Sequence, residues 1–301
     1  MERRNLLTYI GLLGAASLAA PLVYRMAQAG TGSAAGFIGM RKDIEALEKA
    51  RGGRLGVAVL DTASGRAMDW RGDERFAMCS TFKFLLAGHV LALVDAGQER
   101  LDRTLPVPPK EKLLDWSPAT TPHAGGNMDI AALCHGIITQ SDNSGANILL
   151  EATGGPGALT AWLRQLGDTI TRCDRPEPTA NLVPGGELRD TTTPVSMLGL
   201  MRIILLGNAL SAPSRTQLTD WLIANTTGDT RLRAGLPAGW KVGDKTGAWD
   251  DAANDIAIIW PKGATAPLLI TSYYRQPDLD GKGRNAVLAE VGRIVARGVL
   301  S

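Results

Sequence analysis

The sequence predicts a mixed α/β protein of the α+β kind: an antiparallel five-stranded sheet flanked by terminal helices, an inserted all-helical domain, and an active site at the interface between them. Three observations predict it. Short apolar, β-branched runs lie towards both ends of the 301-residue chain. The middle, from about residue 80 to 224, has mostly helical apolar spacing. The last residues carry a helical stripe of their own. One sheet built from both ends, covered by the terminal helices, is the economical way to bury all of these faces. With 45% apolar residues the chain can fill a sizeable core.

The elements follow in order. Residues 30–39, rich in Gly, Ser and Ala as far as Gly36, read as a flexible lead-in. Ile44, Ala46, Leu47 and Ala50 give a short helix with a polar face, ended by Gly52 and Gly53. Residues 55–60, a turn at Thr62-Ala63-Ser64-Gly65 and a second run to Trp70 make a β-hairpin. Phe82, Leu85, Leu86, His89, Val90 and Leu93 then set a helical spacing. Pro- and Gly-rich loops interrupt the helices near 105–126, 153–157 and 174–188. Strand character returns at 240–245, 256–260 and 268–274, with turns at Gly247, Asp250-Asp251 and Gly263. A closing helix from about Arg284 carries Val287, Leu288, Val291, Ile294 and Val295. This assigns 40–71 and 231–301 to the sheet domain and 72–230 to the helical domain. The cleft between two such bodies is a usual place for a small-molecule site.

Residues 1–29 read as an export signal rather than as fold. Arg3 and Arg4 precede an apolar stretch over 6–23, and Ala27-Gln28-Ala29 offers a small-x-small cleavage site. A single membrane anchor is the competing reading, weakened by Thr8, Tyr9 and several small residues. Arg3-Arg4-Asn5-Leu6-Leu7 fits the twin-arginine pattern. That pattern implies folding before export to the periplasm, which suits an odd cysteine count, and no membrane association once the signal is gone.

Composition excludes some functions. Lys and Arg total 32 against 30 Asp and Glu, and the charges balance without residues 1–29. Nucleic acid is therefore not an expected partner, because neutralising phosphates needs a basic excess. His89, His123 and His135, with Cys79, Cys134 and Cys173, show no metal-ligand spacing, so no metal and no cofactor is expected.

Three short motifs carry chemistry. Ser80-Thr81-Phe82-Lys83 opens a helical run, which puts Ser80 and Lys83 on one face, a turn apart. A serine hydroxyl needs a base to become a nucleophile, and a lysine serves if burial or a positive neighbour lowers its pKa. Free backbone N–H groups at the helix start suit an oxyanion. Ser141-Asp142-Asn143 begins another helix, and Lys245-Thr246-Gly247 lies on a strand where glycine allows close approach to the backbone. Taken singly, the first two also read as helix caps.

In this order the three motifs resemble the S-x-x-K, S-D-N and K-T-G set shared by class A β-lactamases and penicillin-binding proteins. Secondary signatures extend the resemblance from about residue 40 to 300. They are Trp116-Ser117-Pro118, Arg175-Pro176-Glu177-Pro178-Thr179-Ala180-Asn181, Arg189-Asp190-Thr191-Thr192-Thr193-Pro194 and Asn254-Asp255-Ile256-Ala257. Glu177 selects the hydrolase within that set, because releasing the acyl group needs an activated water, and Glu177-Pro178-x-x-Asn181 resembles the family's loop that supplies it.

The resemblance to class A serine β-lactamases implies a monomer acting on a small-molecule β-lactam, with these roles. Ser80 attacks the lactam carbonyl, and the N–H groups of Ser80 and Ala248 hold the oxyanion. Lys83, or Glu177 through water, removes the serine proton. Ser141 passes a proton to the leaving nitrogen. Glu177 and Asn181 drive deacylation. Asn143 binds the acylamino side chain, while Lys245, Thr246 and Arg231 receive the carboxylate. Arg231 is chosen over Arg233 by its spacing to Lys245. Trp116 lines the entrance as an apolar wall, and Arg175 with Asp190 closes the Glu177 loop.

Two departures from the family stand out. Trp249 occupies the position of the cysteine to which Cys79 is bridged in carbapenem-hydrolysing relatives, and Ala87 that of a mate for Cys134. The three cysteines are accordingly expected to be small buried apolar residues.

Overall fold

A computed structural model describes residues 34–300, with side chains from residue 36. The expected export signal lies outside them. In chain order the elements are α1 (Ala34–Arg51), β1 (Arg54–Asp61), β2 (Ala67–Trp70), β3 (Phe76–Ala77), α2 (Phe82–Asp95), β4 (Thr104–Pro106), β5 (Asn127–Asp129), α3 (Ile130–Thr139), α4 (Asn143–Ala152) and α5 (Gly155–Gln165). There follow β6 (Thr191–Thr192), α6 (Pro194–Leu205), α7 (Ala212–Ile223), α8 (Leu232–Gly235), β7 (Lys241–Trp249), β8 (Ala252–Trp260), β9 (Leu268–Arg275) and α9 (Gly281–Leu300). A single 3-10 turn, Cys79–Thr81, leads into α2.

The sheet runs β2-β1-β9-β8-β7, antiparallel throughout, so strands from the two ends of the chain meet at β1 and β9. Both faces are covered. Leu55, Val57 and Val59 of β1, with Ile259, Ile270 and Tyr274, pack under Ile44, Val287, Val291 and Val295 of the terminal helices. Ala58 and Leu60, with Ile256, Ile258, Leu269 and Tyr273, face the helices α2 to α7. Adjacent strand residues therefore enter different cores. This is why the strands read as unbroken apolar runs rather than as alternations.

Four expectations need correction. The lead-in is shorter than predicted, because α1 already starts at Ala34. Phe37 and Met40 extend the stripe of Ile44 and Leu47 and are buried in the same core, so packing overrides the glycine-rich composition. The inserted domain is not all-helical. Two short ladders, β3 with β6 and β4 with β5, tie its loops together. Gly247 is not a turn residue: β7 continues through it to Trp249, and Asp250-Asp251 alone makes the hairpin turn. The 153–157 break is short, since α5 starts at Gly155 with Pro156 in its first turn, where a missing N–H costs nothing.

Candidate active site

The Ser80-Thr81-Phe82-Lys83 motif sits where α2 begins, pressed against β7. A Cβ added to Gly247 would lie 2.8 Å from the Met78 carbonyl oxygen and 3.2 Å from Ser80 N, so only glycine lets the strand come this close. Cys79 has φ +45°, Ser141 +60° and Trp116 +60°, left-handed values that are unfavourable for residues with a side chain. Three strained residues around one pocket mark a geometry that the surrounding packing imposes.

Ser80 Oγ accepts a hydrogen bond from Lys83 Nζ at 3.0 Å and donates to Glu177 Oε1 at 3.3 Å. The Lys83 and Glu177 side chains are completely enclosed and form an ion pair at 3.1 Å. Lys83 Nζ also donates to the Ser141 carbonyl (2.8 Å) and to Asn143 Oδ1 (2.6 Å). Burial pushes the Lys83 ammonium below the ordinary lysine value, and the Glu177 carboxylate partly restores it.

Lys245 reaches the site from β7. Its Nζ donates to Ser141 Oγ at 3.0 Å and to the Thr246 carbonyl at 2.7 Å. Burial, then Lys83 and Arg231, hold it well below the usual lysine value. The Thr246 hydroxyl pairs with that of Thr227 at 2.5 Å. Arg231 is buried behind β7, where Nη1 donates to the Gly247 carbonyl (2.7 Å) and the Asn254 carbonyl (2.6 Å), and Nε donates to Asn285 Oδ1 (3.0 Å). Arg233 instead pairs with Asp244 and faces Asp229, so the two arginines are clearly divided.

Within the S-D-N triplet the labour is split. Asp142 is the cap: Oδ1 accepts from Gly145 N, and Oδ2 accepts from the amides of Ala119 and Thr120. Asn143 spends Oδ1 on Lys83 and donates from Nδ2 to the Asp115 carbonyl at 2.8 Å. Trp116 is 66% exposed at the rim, with its indole N–H donating to the Gln140 carbonyl. Ala248 is exposed on β7, directly opposite Ala253 of β8.

The Glu177 loop folds back under the site. Glu177-Pro178 is cis. Asn181 Nδ2 donates to Glu177 Oε2 at 2.6 Å, while Asn181 Oδ1, buried, has no hydrogen-bond partner among the described residues. Arg175 Nε donates to Asp190 Oδ2 at 2.5 Å, and Asp190 Oδ1 accepts the amides of Asp174 and Arg175. A cavity of about 840 Å³ lies beyond, between residues 181–188 and the β7–β8 turn, with Cys79, Asn181 and Trp249 in its wall. All three cysteines are free and buried, as the sequence predicts.

Ser80, Lys83, Ser141, Asn143, Glu177, Asn181, Lys245 and Thr246 thus belong to one contiguous network of hydrogen bonds; Trp116 lies on its rim, whereas Ala248 and Arg231 stand outside it. Two asparagines received no role in the sequence reading, where Asn254 figured only within the Asn254-Asp255-Ile256-Ala257 signature. Asn147 accepts from Glu177 N and donates to the Glu177 carbonyl, both at 2.9 Å. Its place one turn beyond Asn143 on α4 was the available signal. Asn254 donates to the carbonyls of Ala77 (2.9 Å) and Met78 (3.1 Å), just before Ser80.

Comparison with known proteins gives one consistent answer. A family model described as "Beta-lactamase enzyme family" matches residues 39–299. The chain is 46% identical to "Beta-lactamase L2" of Stenotrophomonas maltophilia over 300 residues, 99% of either chain. It is 46% identical to "Beta-lactamase OXY-1" of Klebsiella oxytoca, covering 84% of this chain and 87% of that one. Among solved structures, an "Ancestral (GNCA) Beta-lactamase class A" is 58% identical at a TM-score of 0.82, covering 85% of this chain and 98% of that one. A β-lactamase from Xanthomonas campestris is 47% identical at 0.84, covering 87% and 97%.

Proposed function

The chain belongs to the β-lactamase enzyme family as a class A enzyme, and from that premise we propose that it hydrolyses β-lactams through an ester of Ser80 that Glu177 helps to release. Hydrolysis of β-lactams, with resistance as its consequence, is the activity of the class. The observation that carries the Ser80 mechanism is the position of Ser80 Oγ within hydrogen-bond reach of both Lys83 Nζ and Glu177 Oε1.

In acylation, Lys83, or Glu177 through a water, takes the Ser80 proton as Oγ bonds to the lactam carbonyl carbon. The N–H groups of Ser80 and Ala248 hold the oxyanion. As the C–N bond breaks, the Ser141 hydroxyl gives its proton to the nitrogen and takes back the one that Lys83 or Glu177 removed from Ser80. In deacylation, Glu177 takes a proton from a water that attacks the ester, and Oγ leaves as it takes that proton from Glu177. The unshared Oδ1 of Asn181 beside the Glu177 carboxylate supports this role, since it offers such a water a second anchor. Lys245, Thr246 and Arg231 attract the substrate carboxylate, Asn143 receives the acylamino group through its remaining amide hydrogen, and Trp116 shields the entrance. The helical lobe 72–230 and the sheet lobe 40–71 with 231–301 form the walls of the cleft. No metal or other cofactor takes part, and the enzyme acts as a monomer.

Residues 1–29 direct export to the periplasm by the twin-arginine route, and the protein is free of the membrane once they are removed. Changing Arg3 and Arg4 to Lys traps precursor in the cytosol if this is right; unchanged export removes the reading. The activity itself is tested with a chromogenic cephalosporin. Many turnovers by the mature protein, abolished in Ser80→Ala, are expected. One stoichiometric burst would mean a penicillin-binding protein or a sensor instead.

A further inference from the structure

We infer that Asn254 is a positioning residue for the nucleophile: its carboxamide holds the strained turn before Ser80, in a chain that has no covalent staple there. The inference rests on Ser80 being the nucleophile.

Four observations carry it. Cys79, immediately before Ser80, sits at φ +45°, an unfavourable conformation that persists only if its surroundings fix it. Cys79 is a free thiol, so no disulfide does this. The carbonyls of Ala77 and Met78, on the approach to that residue, both accept from Asn254 Nδ2, at 2.9 and 3.1 Å. Asn254 is itself 2% exposed in the middle of the sheet, where β8 pairs with β7 and β9. An amide group there has two hydrogens to give and finds two carbonyls to receive them.

Asn254 also links the two halves of the site. Its own carbonyl accepts from Arg231 Nη1, and the same nitrogen donates to the carbonyl of Gly247. Gly247 is the residue whose missing Cβ lets β7 touch Met78 and Ser80. One asparagine thus ties the nucleophile turn, the glycine that packs on it and the buried arginine behind both. If it loosens, Ser80 Oγ and its N–H drift from where the lactam carbonyl must sit, and misplacement on this scale is costly to rate.

The test separates positioning from folding and from the nucleophile assignment. Single-turnover acylation in Asn254→Ala is expected to fall about tenfold or more, the equivalent of losing one to two buried hydrogen bonds. Non-covalent affinity for the same β-lactam, compared between Ser80→Ala and Ser80→Ala/Asn254→Ala, should stay within about twofold. The second variant, Asn254→Asp, has no donor when ionised and one when protonated. Its acylation rate relative to wild type at each pH should therefore recover as pH falls through the new carboxyl's titration, whereas that of Asn254→Ala should stay flat. Wild-type acylation rates in either variant at neutral pH would overturn the inference, as would parallel pH profiles of the two. Loss of acylation in Ser80→Ala is the separate check on the nucleophile; if that variant still acylates, the premise fails rather than the role of Asn254.

Discussion

Lys83 Nζ and Glu177 Oε1 lie 3.1 Å apart in an enclosed pocket, and Ser80 Oγ touches both. On the proposed mechanism two bases compete for the Ser80 proton, and only Glu177 is placed to work after acylation. In the free protein Glu177 is bonded to Asn181 beside Ser80, while Lys83 is also bonded to the Ser141 carbonyl and Asn143. Glu177→Ala is expected to acylate and then stall. Deacylation should slow by roughly 10²–10⁴-fold, the range for a lost general base. Mass spectrometry should find the protein carrying one intact acyl group. Fast turnover by this variant would move the deacylation base elsewhere.

The charge balance on Lys83 has a direction that can be tested. Burial lowers its pKa from 10.5, and Glu177 pulls it back up. Glu177→Gln removes the upward contribution, so Lys83 should lose its proton at a lower pH in that variant than in wild type. If neutral Lys83 is the acylating base, the single-turnover acylation rate of Glu177→Gln should rise with pH through that lowered value and then level off. A rise that begins only near the ordinary lysine value would show that burial does not depress Lys83.

Asn147 holds the backbone of Glu177 from both sides and touches neither Ser80 nor Lys83 by hydrogen bond. Asn147→Ala should therefore harm deacylation more than acylation. Losing two hydrogen bonds of about 1 kcal/mol each corresponds to a slowing of roughly tenfold or more. Partial accumulation of acyl-enzyme at steady state, read by quenched-flow mass spectrometry, is the expected signature. Equal losses in both half-reactions would mean that α4 as a whole has shifted.

These contrasts explain what the sequence can convey. Ser80 and Lys83, or Glu177 and Asn181, are legible because their partners lie within one helical turn, so that the chemistry is written in a short word. Asn147 and Asn254 act on main-chain atoms 30 and 176 residues away, so neither the helical spacing of Asn147 from Asn143 nor the short signature around Asn254 tells what the side chain binds. The five-stranded sheet was legible for a related reason: its strands are apolar on both faces and stand out from the helices. The ladders β3–β6 and β4–β5 were not, because two or three paired residues carry no period. The early start of α1 was hidden by glycine and alanine, whose composition suggests a loop while Phe37 and Met40 settle the matter by packing.

Cys79 supplies the last prediction. It adjoins the nucleophile, yet burial and the nearby Glu177 charge push its thiol up to about 12, which leaves almost no reactive thiolate at mildly alkaline pH. Burial raises Cys134 and Cys173 in the same way. The native mature protein is therefore expected to give no rapid reaction with a thiol-titrating disulfide reagent. In concentrated guanidinium all three cysteines should react, since none is bridged. One fast equivalent in the native state would mean that the turn at Cys79 opens to solvent, which the packing of Gly247 and Asn254 against it argues against. A count of only one in denaturant would reveal a disulfide. Comparison with Asn254→Ala sharpens the point: if that side chain holds the turn, its removal should expose Cys79 first and leave Cys134 and Cys173 protected.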